Sequence, residues 1–293
     1  MKSIFFVNLI FLFSFSAFSQ NLSPLWEELT ASDFVLAVEK SEGVCIIPIG
    51  AIEKHGQHLP LGTDMYRGRE ISQRAAATEY CIVFPYYFQG QILEGKHQPG
   101  TIAYGSDLLL MLLDETCKEI ARNGIKKIIL VNFHGGNNAF LQYFSMIQAE
   151  SPRDYVVYVA SPRPNQEVQN RINEMRKSSF DQHGGEDETS SMLAVRPDLV
   201  KMNRVADDSG RNQNQLRDLP QSIFTALKWY SSFPNHYAGD AKDANVELGK
   251  LIVDGSTQSL IEIIKAVKTD TVTPRLQNEF FKDSSSPLET KLR

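Results

Sequence analysis

A chain of 293 residues with 42% apolar and 22% charged residues, 18 Gly and 13 Pro has an ordinary globular make-up, which excludes a collagen, a coiled coil or a disordered chain. Its 30 basic residues face 35 acidic ones, a net charge of −5 with no Lys/Arg run. The basic stripe of a general nucleic-acid binder is therefore missing, and the length accommodates one large α/β domain or two small ones.

Met1 and Lys2 open the chain, Ile4 to Phe15 is almost unbroken apolar sequence, and Ala17-Phe18-Ser19 puts small residues at −3 and −1 before Gln20. That layout predicts a signal peptide over 1–19, its apolar core being shorter than the ~20 residues of a spanning helix. No later stretch is long and apolar enough to span a bilayer. The expectation is an exported protein, periplasmic or secreted, with no membrane partner once the leader is removed. Export permits disulfides. Cys45, Cys81 and Cys117 nevertheless lie in apolar runs or a helical pattern and read as small buried hydrophobes, with one disulfide left open.

A buried strand over 44–49 ends at Gly50. A helix over 67–80 leads to a strand over 81–84, stopped by Pro85, and 86–105 is a long loop. Ser106 reads as the N-cap of a helix over 107–123, closed by Gly124. Strands over 127–131 and 155–159 flank a helix over 139–149. Short strands alternating with helices predict an α/β fold, three-layer α/β/α with a mostly parallel central sheet. One domain over 20–274 is expected, then a polar tail over 275–293 that frays or wraps an edge.

All six histidines, His55, His58, His97, His134, His183 and His236, lie in loop-like sequence, where sites are built on a rigid scaffold. Glu53, His55 and Asp64 follow the end of the first strand, the edge where parallel sheets bind ligands. Glu53 and His55 at i, i+2 reach adjacent ions, and Asp64, after a Gly-Thr turn, can bridge two. A polar turn with incidental charges is the plainer alternative, but this stretch is too rich in Gly, Pro, His and acids for one. Asn132-Phe-His134-Gly-Gly-Asn137 follows the strand over 127–131, which puts His134 at the same edge. The third cluster, His183-Gly-Gly-Glu186-Asp187-Glu188-Thr-Ser190, follows no predicted strand. It offers a further metal ligand and a proton carrier, with one of its acids free to serve a helix macrodipole. Lys54, Asp187 and Asp198 read as solvated charges.

The segment from Pro48 to Asp64 resembles the leading motif of the creatininase (creatinine amidohydrolase) family. Asn132 to Asn137 is similar to its Asn-x-His-Gly-Gly-Asn motif, His183 to Ser190 to its late His-Ala-Gly-Glu-x-Glu-Thr-Ser motif, and Gly239-Asp240 through Gly249 to its final segment. The resemblance covers roughly residues 25–265 and implies a three-layer α/β fold, often hexameric. It also implies a two-metal site, zinc first, with manganese or iron as alternatives. Glu53 and His134 would hold one ion and His55 the other, with Asp64 bridging. The family's creatinine-cleaving members draw a second-ion Glu from the position that is Gly136 here, so Glu186 or Glu188 takes its place, Glu188 slightly ahead.

Gly135 stands where those members carry a Tyr, Ser179 and Phe180 where one carries a Trp, and the 96–101 segment is short. These departures count against creatinine as substrate. The implied activity is metal-assisted hydrolysis of a non-standard or cyclic C–N amide bond of a small molecule, in a homo-oligomer. His183 would protonate the leaving nitrogen, with Glu188 orienting it if it is not a ligand. The alternatives are an exported metallopeptidase or deformylase of the same family, and a metal- or metabolite-binding protein without turnover.

Overall fold

The computed structural model describes residues 22–290, so the leader expected over 1–19 lies outside the described residues. Four short runs build the main sheet: β1 (Val44–Ile49), β2 (Ile82–Val83), β3 (Lys127–Asn132) and β4 (Val156–Ala160), all parallel, in the order β2-β1-β3-β4. β1 is buried along its whole length because both sheet faces are covered, the usual state of a parallel strand.

Alternation assigns the faces. Cys45, Ile47 and Ile49 of β1 point into a core with Leu113, Cys117 and Ile120 of α3 (Ser106–Arg122) and Leu141 and Phe144 of α4 (Asn137–Ile147), joined by Ala37 of α1 (Ala31–Lys40). Val44 and Ile46 point the other way. They meet Ile71, Ala75 and Ala76 of α2 (Thr63–Thr78) and Val253, Leu260 and Ile264 of α8 (Val246–Thr269). The result is the expected α/β/α sandwich. A second, two-stranded antiparallel sheet pairs β5 (Asp181–His183) with β6 (Ala238–Gly239). α5 (Gln166–Met175) packs against α8 through Ile172, Leu248 and Ile252, while α6 (Glu186–Val195) follows β5 and α7 (Lys228–Ser232) precedes β6.

Several boundaries differ from the sequence pattern for local reasons. α2 begins at Thr63 rather than 67, because the Thr63 hydroxyl bonds the Pro60 carbonyl at 2.7 Å and starts the turn early. Asp64 thus rides in the first turn of a helix instead of a loose loop. α3 is preceded by Gly105 with no side-chain cap, and Ser106 lies inside it. Much of the tail expected from 275 is helical, as α9 (Val272–Ser285). Its Gln277 amide binds the carbonyls of Arg153 and Tyr155 beside edge strand β4, so this part wraps the edge and does not fray. All three cysteines are buried and free.

The order β2-β1-β3 places the switch point between β1 and β3. α2 leaves β1 to one face, and α3 enters β3 from the other. A crevice opens there at the carboxyl ends of the strands. Ile49 and Asn132, the last residues of β1 and β3, are paired across it.

Candidate metal centre

The crevice collects the three sequence clusters. Past β1 the chain carries Glu53 and His55, past β3 it carries His134, and Asp64 enters from the first turn of α2. That approach requires Gly50, since a Cβ there would lie 2.8 Å from the Asp64 Cβ. His183 comes from the end of β5, a strand the sequence pattern does not show because its three residues are Asp, Gln and His.

Three overlapping groups of side chains result, two of which meet at Asp64 while the third joins Glu53, His183 and His236. Glu53, Asp64 and His134 form the first, with His134 Nδ1 2.5 Å from Glu53 Oε1 and 3.3 Å from Asp64 Oδ2. His55, His183 and Glu188 form the second, with His55 Nε2 3.8 Å and His183 Nδ1 4.0 Å from Glu188 Oε2. Asp64 spans both, its Oδ1 lying 3.3 Å from His55 Nε2.

The imidazole orientations follow from their outer nitrogens. His55 Nδ1 lies 3.2 Å from the Glu53 carbonyl, His134 Nε2 2.8 Å from the Gln91 carbonyl, and His183 Nε2 2.8 Å from the Lys54 carbonyl. A carbonyl only accepts, so each of these nitrogens carries the proton. Once deprotonated, His55 Nε2, His134 Nδ1 and His183 Nδ1 consequently turn their lone pairs toward the carboxylates. Backbone carbonyls fixing ring tautomers are a regular outer shell of metal-bound histidine.

Glu53 Oε1, His55 Nε2 and Asp64 Oδ2 are buried without a hydrogen-bond partner. Buried polar atoms are nearly always paired, and three acceptors converging unpaired suit a cation between them. Burial works to raise the Glu53 carboxyl, but His134 and His183 nearby, with the hydrogen bond from His236, hold it well below the usual range. Burial likewise opposes the charged form of His55, yet Asp64, Glu53 and Glu188 raise it to about 9. A divalent ion entering such a site displaces protons. Burial, then His55, push the His183 imidazole below its ordinary value.

The two candidate acids of the third cluster separate cleanly. Glu186 turns away from the crevice, its carboxylate accepting the amides of Lys177 at 3.0 Å and Ser178 at 2.6 Å. Glu188 turns in. Its Oε1 pairs with Arg67 Nη1 at 2.7 Å, and its Oε2 accepts the Gly184 amide at 2.7 Å while facing His55 and His183. Gly136 leaves no room for a side chain, since a Cβ there would overlap His134 Nε2 and Glu94 Oε1 and lie 2.8 Å from the Gln91 carbonyl.

Two residues read as solvated charges are not. Lys54 is buried against Asp208 at 2.5 Å, and Asp187 is paired with Arg176; Asp198 remains in a surface pair with Arg196. His58 stands apart from both groups, 2.8 Å from Thr189 Oγ1 with its ring on Tyr237. His236, to which the sequence analysis gave no role, lies inside the site, 2.6 Å from Glu53 Oε2. Its only sequence signal is membership of the loop-borne histidines. Beside it, Leu93, Glu94, Lys96, His97, Leu227 and Tyr230 line a cavity of about 420 Å³, with the His97 ring 6.4 Å from that of His236.

A family model described as creatinine amidohydrolase matches residues 27–264. The creatinine amidohydrolase of Pseudomonas putida is 27% identical over 252 residues, covering 81% of this chain and 95% of that protein. The mycofactocin precursor peptide peptidase of Mycolicibacterium smegmatis is 31% identical over 161 residues, 53% of this chain and 59% of that protein. A crystal structure of creatinine amidohydrolase (creatininase) superposes with a TM-score of 0.71 at 26% identity, covering 85% of this chain and 99% of that one. A structure of manganese creatininase, at 24% identity and a TM-score of 0.70 over 85% of this chain and 100% of that one, shares the fold.

Proposed function

The chain belongs to the creatinine amidohydrolase family, metal-dependent hydrolases of C–N amide bonds, and on that footing we propose that it cleaves a non-standard or cyclic amide of a small molecule at a centre for two divalent ions. The observation that carries this reading is Asp64, one carboxylate placed between two groups of donors, with Glu53 Oε1, His55 Nε2 and its own Oδ2 buried without a partner. Glu53, Asp64 and His134 would hold one ion, and His55, Asp64 and Glu188 the other. The chemistry such a pair supplies is an activated water and polarisation of the amide oxygen.

The chain's own groups do the rest. Arg67 and the Gly184 amide fix Glu188 with one oxygen toward the crevice. His183 carries the proton: its Nδ1 lone pair faces the second group, and the lowered imidazole is neutral at neutral pH. It can take a proton from the attacking water and return it to the leaving nitrogen. The cavity beside His236 receives the part of the substrate that does not react. The apolar run before Gln20 supports export to the periplasm or beyond, and zinc, with manganese or iron as alternatives, suits the mixed imidazole and carboxylate set. We also read the protein as a homo-oligomer.

A second reading, a metallopeptidase of the same chemistry, is favoured by the likeness to the mycofactocin precursor peptidase. Metal-reconstituted protein offered cyclic amides, formylamides and short peptides separates the two. Turnover of small amides lost in His183→Ala supports the first, and turnover of peptides alone supports the second. Tight metal binding without turnover of any class makes the protein a carrier.

A further inference from the structure

His236 is 1% exposed and takes φ 53°, a left-handed backbone conformation uncommon for a non-glycine residue. The Trp229 indole N–H donates to His236 Nδ1 at 2.9 Å. An indole nitrogen is a donor only, so Nδ1 is the acceptor and Nε2 carries the ring proton. That proton points at Glu53 Oε2, 2.6 Å away. The other oxygen of the same carboxylate, Oε1, is the buried unpaired atom facing His134 and Asp64.

We propose that His236, set by Trp229, is a positioning residue for Glu53: it holds one carboxylate oxygen so that the other is presented to the first cation. The chain Trp229–His236–Glu53 runs from α7 into the centre, and the left-handed backbone at His236 is what aims the ring. This rests on the two-ion reading above. Glu53, His183 and His236 also have nitrogen and oxygen atoms within 4.8 Å of one another, which would suit a third cation. The hydrogen positions oppose it, since one His236 nitrogen is occupied by the indole N–H and the other bears a proton.

The test uses His236→Gly, which suits the left-handed backbone and removes the donor with its ring, leaving the Trp229 N–H without its acceptor, alongside His236→Gln, which restores an N–H. Zinc titrations of metal-free protein should show one binding event weakened about 10- to 100-fold in His236→Gly, the usual worth of an outer-shell partner. Part of that loss should return in His236→Gln, and circular dichroism of metal-free His236→Gly should still show the wild-type fold. In a Trp26→Phe background, Trp229 fluorescence should change on adding zinc to wild type and stay unchanged in His236→Gly. Unaltered zinc affinity in His236→Gly overturns the proposal alone. A third bound ion that disappears in that variant overturns it in favour of a cation site. A wild-type protein that binds no divalent ion overturns the two-ion reading, and this one with it.

Discussion

Gly136→Ala probes the outer shell of the centre with one methyl group. The added Cβ would overlap His134 Nε2 and Glu94 Oε1 and come within 2.8 Å of the Gln91 carbonyl. Ordinary carbon contacts begin near 3.5 Å, so something must move. Glu94 can swing toward solvent. The Gln91 backbone cannot, because its amide is held by Asn137 Oδ1 at 2.8 Å. The His134 ring therefore shifts, and its 2.8 Å bond to the Gln91 carbonyl is lost. Losing the partner that fixes a ligand histidine costs about 10- to 100-fold in metal affinity, or about 1.4–2.8 kcal/mol. Gly135→Ala is the control, since nothing lies within 4 Å of a Cβ there. Calorimetric titration of both variants with zinc, with circular dichroism to confirm the fold, reads the difference. If Gly136→Ala binds zinc as tightly as Gly135→Ala, the outer-shell reasoning is wrong.

Glu188→Gln should bind about one ion fewer than wild type and lose most activity, whereas Glu186→Gln should keep its metal and lose roughly 1–2 kcal/mol of stability with its two amide bonds weakened; elemental analysis beside thermal melts distinguishes them, and the opposite pattern would exchange the two roles. Burial lowers the His58 imidazole to about 4, so the folded state disfavours its charged form. The resulting stability is present above the unfolded value near 6.5 and is lost as pH falls from there toward 4, at most about 3 kcal/mol. His58→Gln should flatten the melting temperature over that window, and an unchanged slope would remove His58 as the cause. Mass spectrometry of protein exported from a native-type host should show an N-terminus at about Gln20, and soluble material retaining Met1 would end the export reading.

The parts of this molecule that were legible in the sequence are those whose signal is local. The apolar run of β1 and the Gly-rich turns after β1 and β3 need no partner to be recognised, and together they place Glu53, His55 and His134 at one sheet edge. Glu186 and Glu188 could not be separated, because the pattern leaves open where the helix begins. Once both lie in α6, two positions apart, the ~100° per residue of a helix turns them to nearly opposite sides. Lys54 looked solvated since its counter-charge, Asp208, arrives from a distant loop. β5, three polar residues, and β6, two small ones, are too short for periodicity to mark, and their pairing is what delivers His183. His236 was hidden for the same reason: only the folded chain brings Trp229 and Glu53 to its two nitrogens.

Metal content of purified wild type and of Asp64→Ala tests the central claim most directly. Asp64 touches both donor groups, so wild type should hold about two ions per chain and removal of Asp64 should take away more than one equivalent, as expected when one carboxylate serves two ions. Equal metal content in the two proteins would contradict the two-ion centre at this crevice.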